Sequence, residues 1–330
     1  MRSRPGEFEL IAAFTRALPR SGEGVLLGPG DDAALLRPPR GEELVATVDA
    51  VVEGVHFDRR FTPAEVGWKA LAVNLSDLAA MGARPLWALV ALAVPPATPA
   101  GRLLGISRGL AACARRHRLA VVGGNLTRAA QLSLTVTVVG AVRRGQALRR
   151  DGARAGDLVL VSGTLGDAAL GLLPGAPPSL TRRQRRPEPR LALGLGLRRV
   201  ASAAIDISDG LAQDLGHLCR ASGVGATLHA AALPRSAAGR AATTARSDPW
   251  GPALNGGEDY ELCVTVQPAR LAAANRAAAR AGLPLTVVGE VTGRRGVRVL
   301  GPDGRAVEAG RGHDHLASRP GSGQARGAMR

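Results

Sequence analysis

The chain has 330 residues, enough for two domains of ordinary size, and its 45% hydrophobic content with interleaved polar segments predicts a globular protein. The longest uninterrupted apolar run, residues 86–94, falls well short of the roughly 20 residues of a membrane-spanning helix, so no membrane association is expected. The first residues carry no apolar segment behind their basic side chains, which indicates no secretory signal and predicts a cytoplasmic location.

The net charge of +16 raises the question of nucleic-acid binding. Lys69 is the only lysine, so the positive charge is almost all arginine, and abundant Ala and Gly indicate G/C-rich codon usage. The arginines are dispersed apart from residues 182–186, and aromatic residues that could stack on bases make up only 2% of the chain. We therefore expect no nucleic-acid partner.

Strand-like and helical segments that alternate along the chain predict an α/β or α+β fold. The clearest helix signal is the sequence from Thr62 to Glu65, which supplies an N-cap hydroxyl, a proline at the first helical position and a capping-box glutamate. Strands are predicted at residues 44–52, 132–142, 157–162, 260–266 and 285–291, and helices at 62–81, 99–116, 209–221 and 268–281.

A polar, glycine-bearing stretch near residues 151–156 predicts a domain boundary, with domains at 1–150 and 151–318 and a disordered tail at 319–330. The segment 174–190, rich in proline and arginine, is interpreted as a surface excursion. Three widely spaced cysteines, Cys113, Cys219 and Cys263, have no metal-ligand spacing and are expected to be buried free thiols.

The candidate chemistry lies in acidic residues beside glycines or at strand ends. Asp31 and Asp32 form an adjacent pair on a glycine-rich turn, which is either an exposed turn or a set of metal ligands. Asp49 lies in an apolar strand, where an unpaired buried carboxylate would be costly and a metal would compensate it. Asp77 lies on the apolar helix, where a salt bridge is the simpler explanation.

Two further glycine-bearing segments follow in the second half of the chain. Asp206 and Asp209 flank Ser208, which is a good N-cap at a helix N-terminus suited to phosphate. Glu258 belongs to a glycine turn that either grips a ligand or forms an ordinary hairpin. His56 could donate to an anionic substrate or be structural.

Read together, the carboxylates favour several Mg²⁺ ions that join them to substrate phosphates, and hence phosphoryl transfer from ATP. The sequence contains no Walker A motif, and its single lysine does not fit a protein-kinase motif set.

The most specific motifs in the chain resemble the thiamine-monophosphate kinase family, which is related to aminoimidazole ribonucleotide synthetase. These motifs are Gly30-Asp31-Asp32-Ala33, residues 69–83, Ser208-Asp209-Gly210-Leu211 with Asp214-Leu215-Gly216-His217, and Gly256-Gly257-Glu258-Asp259-Tyr260-Glu261-Leu262. The resemblance implies a two-domain aminoimidazole ribonucleotide synthetase-like fold, with an N-terminal domain that forms a dimeric sheet or barrel and a C-terminal α/β domain. It also implies a homodimer.

The resemblance further implies direct, in-line transfer of the ATP γ-phosphate to thiamine monophosphate, so no catalytic nucleophile is expected. By motif position, the implied Mg²⁺ ligands are Asp32, Thr47, Asp49, Asp77, Asn125, Asp206 and Asp209. The implied ATP contacts are Gly124, Arg150 and Ser208, and the implied acceptor contacts are His56, Glu258 and His313.

Three positions depart from the family pattern. Asn125 replaces a metal-binding aspartate, so the magnesium there should be held more weakly, and Val48 replaces a hydroxyl residue. His313 stands where the family has an aromatic residue. These departures leave open a different acceptor for the same ATP site, or a catalytically weakened homologue that only binds.

Overall fold

The structure is a computed structural model that describes residues 7–244 and 248–307. Its first half contains a four-stranded sheet with strand order β3-β6-β4-β5, in which only β4 and β5 are parallel. Its elements are α1 Glu7–Arg16, β1 Val25–Leu27, β2 Leu35–Leu36, β3 Glu42–Val52, α2 Pro63–Ala80, β4 Arg84–Val94, α3 Ala100–Arg116, β5 Ala120–Arg128 and β6 Ser133–Arg143.

Helix α2 begins at the capping box that the sequence predicts. Thr62 Oγ1 accepts from the Glu65 amide at 3.3 Å, and Glu65 Oε2 accepts from the Thr62 amide at 2.7 Å. Glycines allow α2 and α3 to pack at backbone contact, because a Cβ on Gly67 would lie 2.0 Å from the Ile106 carbonyl oxygen. Most of α2 is buried, so its polar residues lie inside the protein rather than in solvent.

The other face of the four-stranded sheet carries exposed apolar side chains. Leu44 and Val48 on β3 and Leu89 on β4 are exposed, with Val48 at 57%. Successive residues of a strand point to opposite faces, and Val51, on the helix-facing side of β3, is buried. Within the described residues, this open face is therefore an apolar surface that other described elements leave exposed.

The second half contains a seven-stranded sheet with order β13-β12-β9-β11-β7-β10-β8, in which the β12–β9 pair is parallel and the other pairs are antiparallel. Its elements are β7 Leu158–Ser162, α4 Asp167–Gly171, α5 Pro178–Arg185, α6 Leu191–Leu197, β8 Ala203–Ile207, α7 Leu211–Ser222, β9 Gly225–His229, α8 Ala237–Thr243, α9 Gly251–Asn255, β10 Glu261–Val266, α10 Leu271–Arg280, β11 Leu285–Thr292, β12 Gly296–Leu300 and β13 Ala306–Val307. Two short 3-10 helices occupy Ala230–Ala232 and Pro268–Arg270.

The predicted strands and helices are confirmed, with ends that differ by one or two residues; a 3-10 turn opens the last helix. The interpretation of residues 174–190 as a surface excursion holds for the largely exposed residues 174–179 and is wrong for residues 180–190. This segment contains α5 with buried Leu180 and Gln184, and Arg183 and Arg190 pair with the fully buried Glu261 on β10. The buried carboxylate binds the segment to the core.

The three cysteines are free and buried, as expected. No helix among residues 7–244 and 248–307 is long and apolar enough to cross a membrane. Residues 151–157 form a loop, while the domain boundary placed there stays a prediction. The tail expected at 319–330 lies outside the described residues.

Candidate functional site

Helix α2 carries two consecutive polar residues, Ser76 and Asp77, that hydrogen-bond to side chains from different halves of the chain. Ser76 Oγ donates to Asp206 Oδ2 on β8 at 2.8 Å. Asp77 Oδ2 accepts from the Thr47 hydroxyl on β3 at 2.6 Å. Three of the implied metal ligands, Thr47, Asp77 and Asp206, therefore lie around α2 where it packs against β3 and β8, and the partner of Asp77 is a hydroxyl rather than the salt bridge considered from sequence.

Burial controls the electrostatics of this junction. Burial, followed by the neighbouring Asp77 charge, raises the pKa of Asp206 to about 8, against the opposing Ser76 hydrogen bond and Arg150 charge. Burial likewise raises the pKa of Asp77, against the Thr47 hydrogen bond and Arg150. A divalent cation bound between these oxygens would favour their charged forms, so the donor set fits Mg²⁺.

Asp214 organises the loop before α7. Its Oδ2 accepts from the amides of Ser208, Asp209 and Gly210 at 3.0, 3.0 and 3.1 Å. Ser208 is therefore not the N-cap that the sequence predicts: the N-cap is Gly210, at φ +119° with no side-chain cap. The carboxylate of Asp214 occupies the amides that a phosphate would otherwise use.

A potential metal cluster that the sequence reasoning missed adjoins this loop. Ligand atoms of Asp209, Asp214 and His217 all lie within 4.8 Å of one another. The i, i+3 spacing of Asp214 and His217 on one helix is the signal that could have revealed them as neighbours. Gln213 donates to Asp209 Oδ2 at 3.2 Å, which leaves the Asp209 carboxylate partly oriented before any ion binds.

Asp31 and Asp32 form an exposed turn, with the Asp32 amide donating to Asp31 Oδ1 at 2.9 Å. They line a cavity of about 770 Å³ together with Gly124 and Asn125 on β5. Asp31 and Asp32 can therefore be both an exposed turn and a set of metal ligands, since the turn faces a cavity large enough for a nucleotide-sized group.

The strand register places Asn125 on the opposite face of the sheet from Asp49. Asp49, Val136, Val90 and Gly124 form one row across the sheet, so Gly124 shares the face of Asp49 and Asn125 points the other way. Asp49 itself is exposed, so the cost of burying it that the sequence suggested does not arise.

The residues expected to contact the acceptor meet through Lys69. The Lys69 ammonium lies 2.6 Å from Glu258 Oε1 and donates to the His56 carbonyl oxygen at 2.9 Å. His56 Nδ1 accepts from the Val52 amide at 3.1 Å, which fixes the ring and assigns the proton of the neutral ring to Nε2. The third expected contact, His313, lies outside the described residues.

Comparison with known proteins agrees with this architecture. Residues 30–142 match the family described as AIR synthase related protein, N-terminal domain, and residues 154–301 match its C-terminal domain. The chain is 41% identical over 329 residues to the thiamine-monophosphate kinase of Salmonella typhimurium, covering 95% of this chain and 99% of that protein.

Solved structures give the same result. A thiamine-monophosphate kinase from Stenotrophomonas maltophilia aligns with TM-score 0.80 and 45% identity, covering 90% of this chain and 95% of that one. The structure described as AaThiL complexed with AMPPCP and TMP aligns with TM-score 0.76 and 33% identity, covering 96% and 100%. The chain therefore has the two-domain AIR synthase-related fold and belongs to the thiamine-monophosphate kinase family.

Proposed function

We propose that this protein transfers the γ-phosphate of ATP to the phosphate of thiamine monophosphate, forming thiamine diphosphate. The observation that carries the proposal is the meeting of Asp77 and Asp206, from the two halves of the chain, beside Arg150. Transfer between two anionic phosphates requires neutralised charge and alignment more than a nucleophilic side chain. The names of the curated relatives, and a relative solved with AMPPCP and TMP, support the choice of donor and acceptor.

Magnesium is the cofactor that this oxygen-rich set favours. When bound, Mg²⁺ would neutralise the charge of the phosphates and hold them in line. The residues proposed to hold the ions are Asp32, Thr47, Asp49, Asp77, Asn125, Asp206 and Asp209. The raised pKa of Asp206 supports this assignment, because a desolvated carboxylate beside another one gains most from a cation.

The ATP contacts proposed are Gly124, Arg150 and Ser208. The Arg150 charge opposes the rise in the pKa of both Asp77 and Asp206, which supports a guanidinium beside these carboxylates that could also bind phosphate. A Cβ on Gly124 would lie 2.0 Å from the Val90 carbonyl oxygen, so only glycine fits there. The amide and carbonyl of Ser208 bond to Asp214 and to the Glu258 amide, which directs its hydroxyl to the nucleotide in this proposal.

The acceptor contacts proposed are His56, Glu258 and His313. Because His56 Nδ1 accepts a backbone hydrogen bond, its Nε2 proton can be donated to the acceptor phosphate. Glu258 presents a carboxylate that accepts hydrogen bonds from the acceptor's donor groups.

The quaternary structure we infer is a homodimer formed through the four-stranded sheets. The support is the open sheet face with exposed Leu44, Val48 and Leu89, since contiguous exposed apolar surface marks association sites. Light scattering of the purified protein tests this proposal: a mass near 34 kDa would contradict it, because the chain is 33.8 kDa.

A second candidate function is the same ATP site with a different acceptor, or binding without efficient transfer. The observation that favours it is Asn125, a neutral amide beside Asp31 and Asp32 in the cavity. An aspartate there would add a charged magnesium ligand, which this chain lacks at that position.

A coupled ADP assay across phosphorylated acceptors separates these candidates. We expect magnesium-dependent ADP formation that requires thiamine monophosphate and yields thiamine diphosphate. Turnover with another acceptor alone would support the changed-acceptor alternative. Saturable binding of thiamine monophosphate in the presence of Mg-ATP, without turnover, would support the weakened homologue.

A further inference from the structure

The Glu258 carboxylate is held on both oxygens by residues from two other parts of the chain. Oε1 pairs with Lys69 of α2 at 2.6 Å, and Oε2 accepts from Gln184 of α5 at 3.3 Å. Lys69 is 1% exposed and Gln184 is 2% exposed, whereas the Glu258 side chain retains 23% exposure. The carboxylate thus reaches the surface while the groups that orient it are buried.

The backbone of Glu258 requires such support. Its φ is +68°, a left-handed conformation that residues other than glycine seldom adopt. Its amide donates to the Ser208 carbonyl oxygen at 2.7 Å, so the loop depends on contacts with its surroundings to keep this conformation.

Lys69 joins this loop to the turn that carries His56. Besides its pair with Glu258, the ammonium donates to the His56 carbonyl oxygen at 2.9 Å and lies 5.4 Å from the centroid of the Phe61 ring. Burial of an ammonium is costly, and a buried ion pair contributes little net stability even when well bonded, whereas it can fix one arrangement of two elements. The pair here, with its ammonium buried, connects the two halves of the chain.

We propose that Lys69 is a positioning residue for the acceptor site: its buried ammonium fixes the Glu258 carboxylate and the His56 turn relative to each other. This inference rests on the proposed function, because it takes Glu258 and His56 as acceptor contacts. Lys69 acts through these two acceptor contacts, so it sets affinity for the acceptor and leaves ATP binding unchanged.

Steady-state kinetics of Lys69→Met test the inference. We expect the KM for thiamine monophosphate to rise about tenfold or more while the KM for Mg-ATP stays within about twofold, because the lost contact orients only an acceptor group. The matched control is Arg116→Met, which removes a different ion pair, the partly exposed Arg116–Glu188 at 2.8 Å, and makes no contact with Glu258 among the described hydrogen bonds and ion pairs. That control should leave both KM values unchanged.

A double-mutant cycle separates positioning from a general loss of stability. Lys69→Met leaves Glu258 without its counter-charge, whereas Lys69→Met/Glu258→Gln removes both charges and should fold even if the single variant does not. Because Lys69 holds Glu258 as well as the His56 turn, the rise in acceptor KM of the double variant should be smaller than the product of the two single-variant rises. Additive effects, or an unchanged acceptor KM in Lys69→Met, would overturn the inference.

Hydrogen exchange distinguishes failure of this inference from failure of the proposed function. If wild-type protein turns over no thiamine monophosphate, the proposed function fails, yet the positioning by Lys69 can still be read in the peptide that spans residues 256–262. This peptide should exchange faster in Lys69→Met, or in the double variant, than in Arg116→Met. Equal exchange in all variants would show that Lys69 does not position the loop.

Discussion

Ser76 donates a hydrogen bond of 2.8 Å to the buried carboxylate of Asp206, and this bond spans 130 residues of sequence to join α2 to β8. Ser76→Ala should therefore lower the free energy of unfolding by about 1–3 kcal/mol, since a buried carboxylate loses a donor. Urea unfolding measures the change. Ser202→Ala, at a partly exposed serine just before β8, is the control and should change stability by less than about 0.5 kcal/mol. Equal effects of the two variants would contradict the structure.

The buried charge cluster around Glu261 predicts a larger effect. Glu261 is fully buried and pairs with Arg183 at 2.6 Å, with Arg190, and with Ser162 Oγ at 2.5 Å. Glu261→Gln leaves two guanidinium groups without their counter-charge, which should cost about 3–5 kcal/mol. Glu188→Gln removes the counter-charge of the largely exposed Arg116 and should cost about 0–1 kcal/mol. Chemical unfolding of both variants compares them, and similar losses would refute the importance of the cluster.

Local signals predicted local structure well. The capping box of α2 lies within Thr62 to Glu65, so the interactions that begin the helix are contained in four consecutive residues. Glu261 shows the opposite case, because its partners Arg183 and Arg190 lie 78 and 71 residues away. The composition of the arginine-rich segment could indicate only exposed, charged side chains. The contacts with buried Glu261, which overturn this interpretation, form only in the folded chain.

The candidate site follows the same division. Motifs predicted functional roles for Asp77, Asp206 and Glu258, but the pairs Thr47–Asp77 and Lys69–Glu258 depend on how β3, α2 and the loop before β10 pack together. The N-cap prediction at Ser208 failed for a local reason, because Asp214 in the first turn of α7 accepts from the loop amides and the helix begins at Gly210.

Asp214 should affect the nucleotide side of the site through the loop it holds. Asp214→Ala removes the shared acceptor of the Ser208, Asp209 and Gly210 amides, so the proposed metal ligand Asp209 loses its fixed position. We expect the half-saturating Mg²⁺ concentration to rise about 10- to 100-fold, as is typical when an outer partner of a ligand is lost. Asp214→Asn retains one acceptor oxygen and should have a smaller effect. Magnesium titrations of activity measure both, and an unchanged requirement in Asp214→Ala would contradict this arrangement.

Restoring a carboxylate at Asn125 should strengthen magnesium binding. Asn125 and the Asp31–Asp32 pair line the same cavity, so Asn125→Asp adds a charged oxygen ligand there. We expect the half-saturating Mg²⁺ concentration to fall by about tenfold, in line with the dependence of affinity on ligand charge. Asn125→Leu, which is similar in size and cannot bind a cation, is the control and should act in the opposite direction. Equal magnesium requirements in wild type and Asn125→Asp would show that the amide suffices.

The pH dependence of stability can be read from Asp259. Burial raises its pKa from the ordinary 3.8 to about 7, against hydrogen bonds from the Gly166 and Ala168 amides and the charge of Arg183. Between the two pKa values the folded state binds a proton on Asp259 that the unfolded state does not. The stability contributed by this proton is therefore fully present below about pH 4 and is lost as the pH rises through about 7.

The stability of the metal-free protein should therefore fall between pH 5 and about pH 7, with a slope that approaches about 1.4 kcal/mol per pH unit for each such proton. Asp259→Asn removes this titration, so its stability should fall less steeply over the same range even if its absolute stability is lower. Urea unfolding in EDTA at pH 5, 6 and 7 measures both slopes. Parallel curves for the two proteins would show that Asp259 is ionised in the folded state throughout this range.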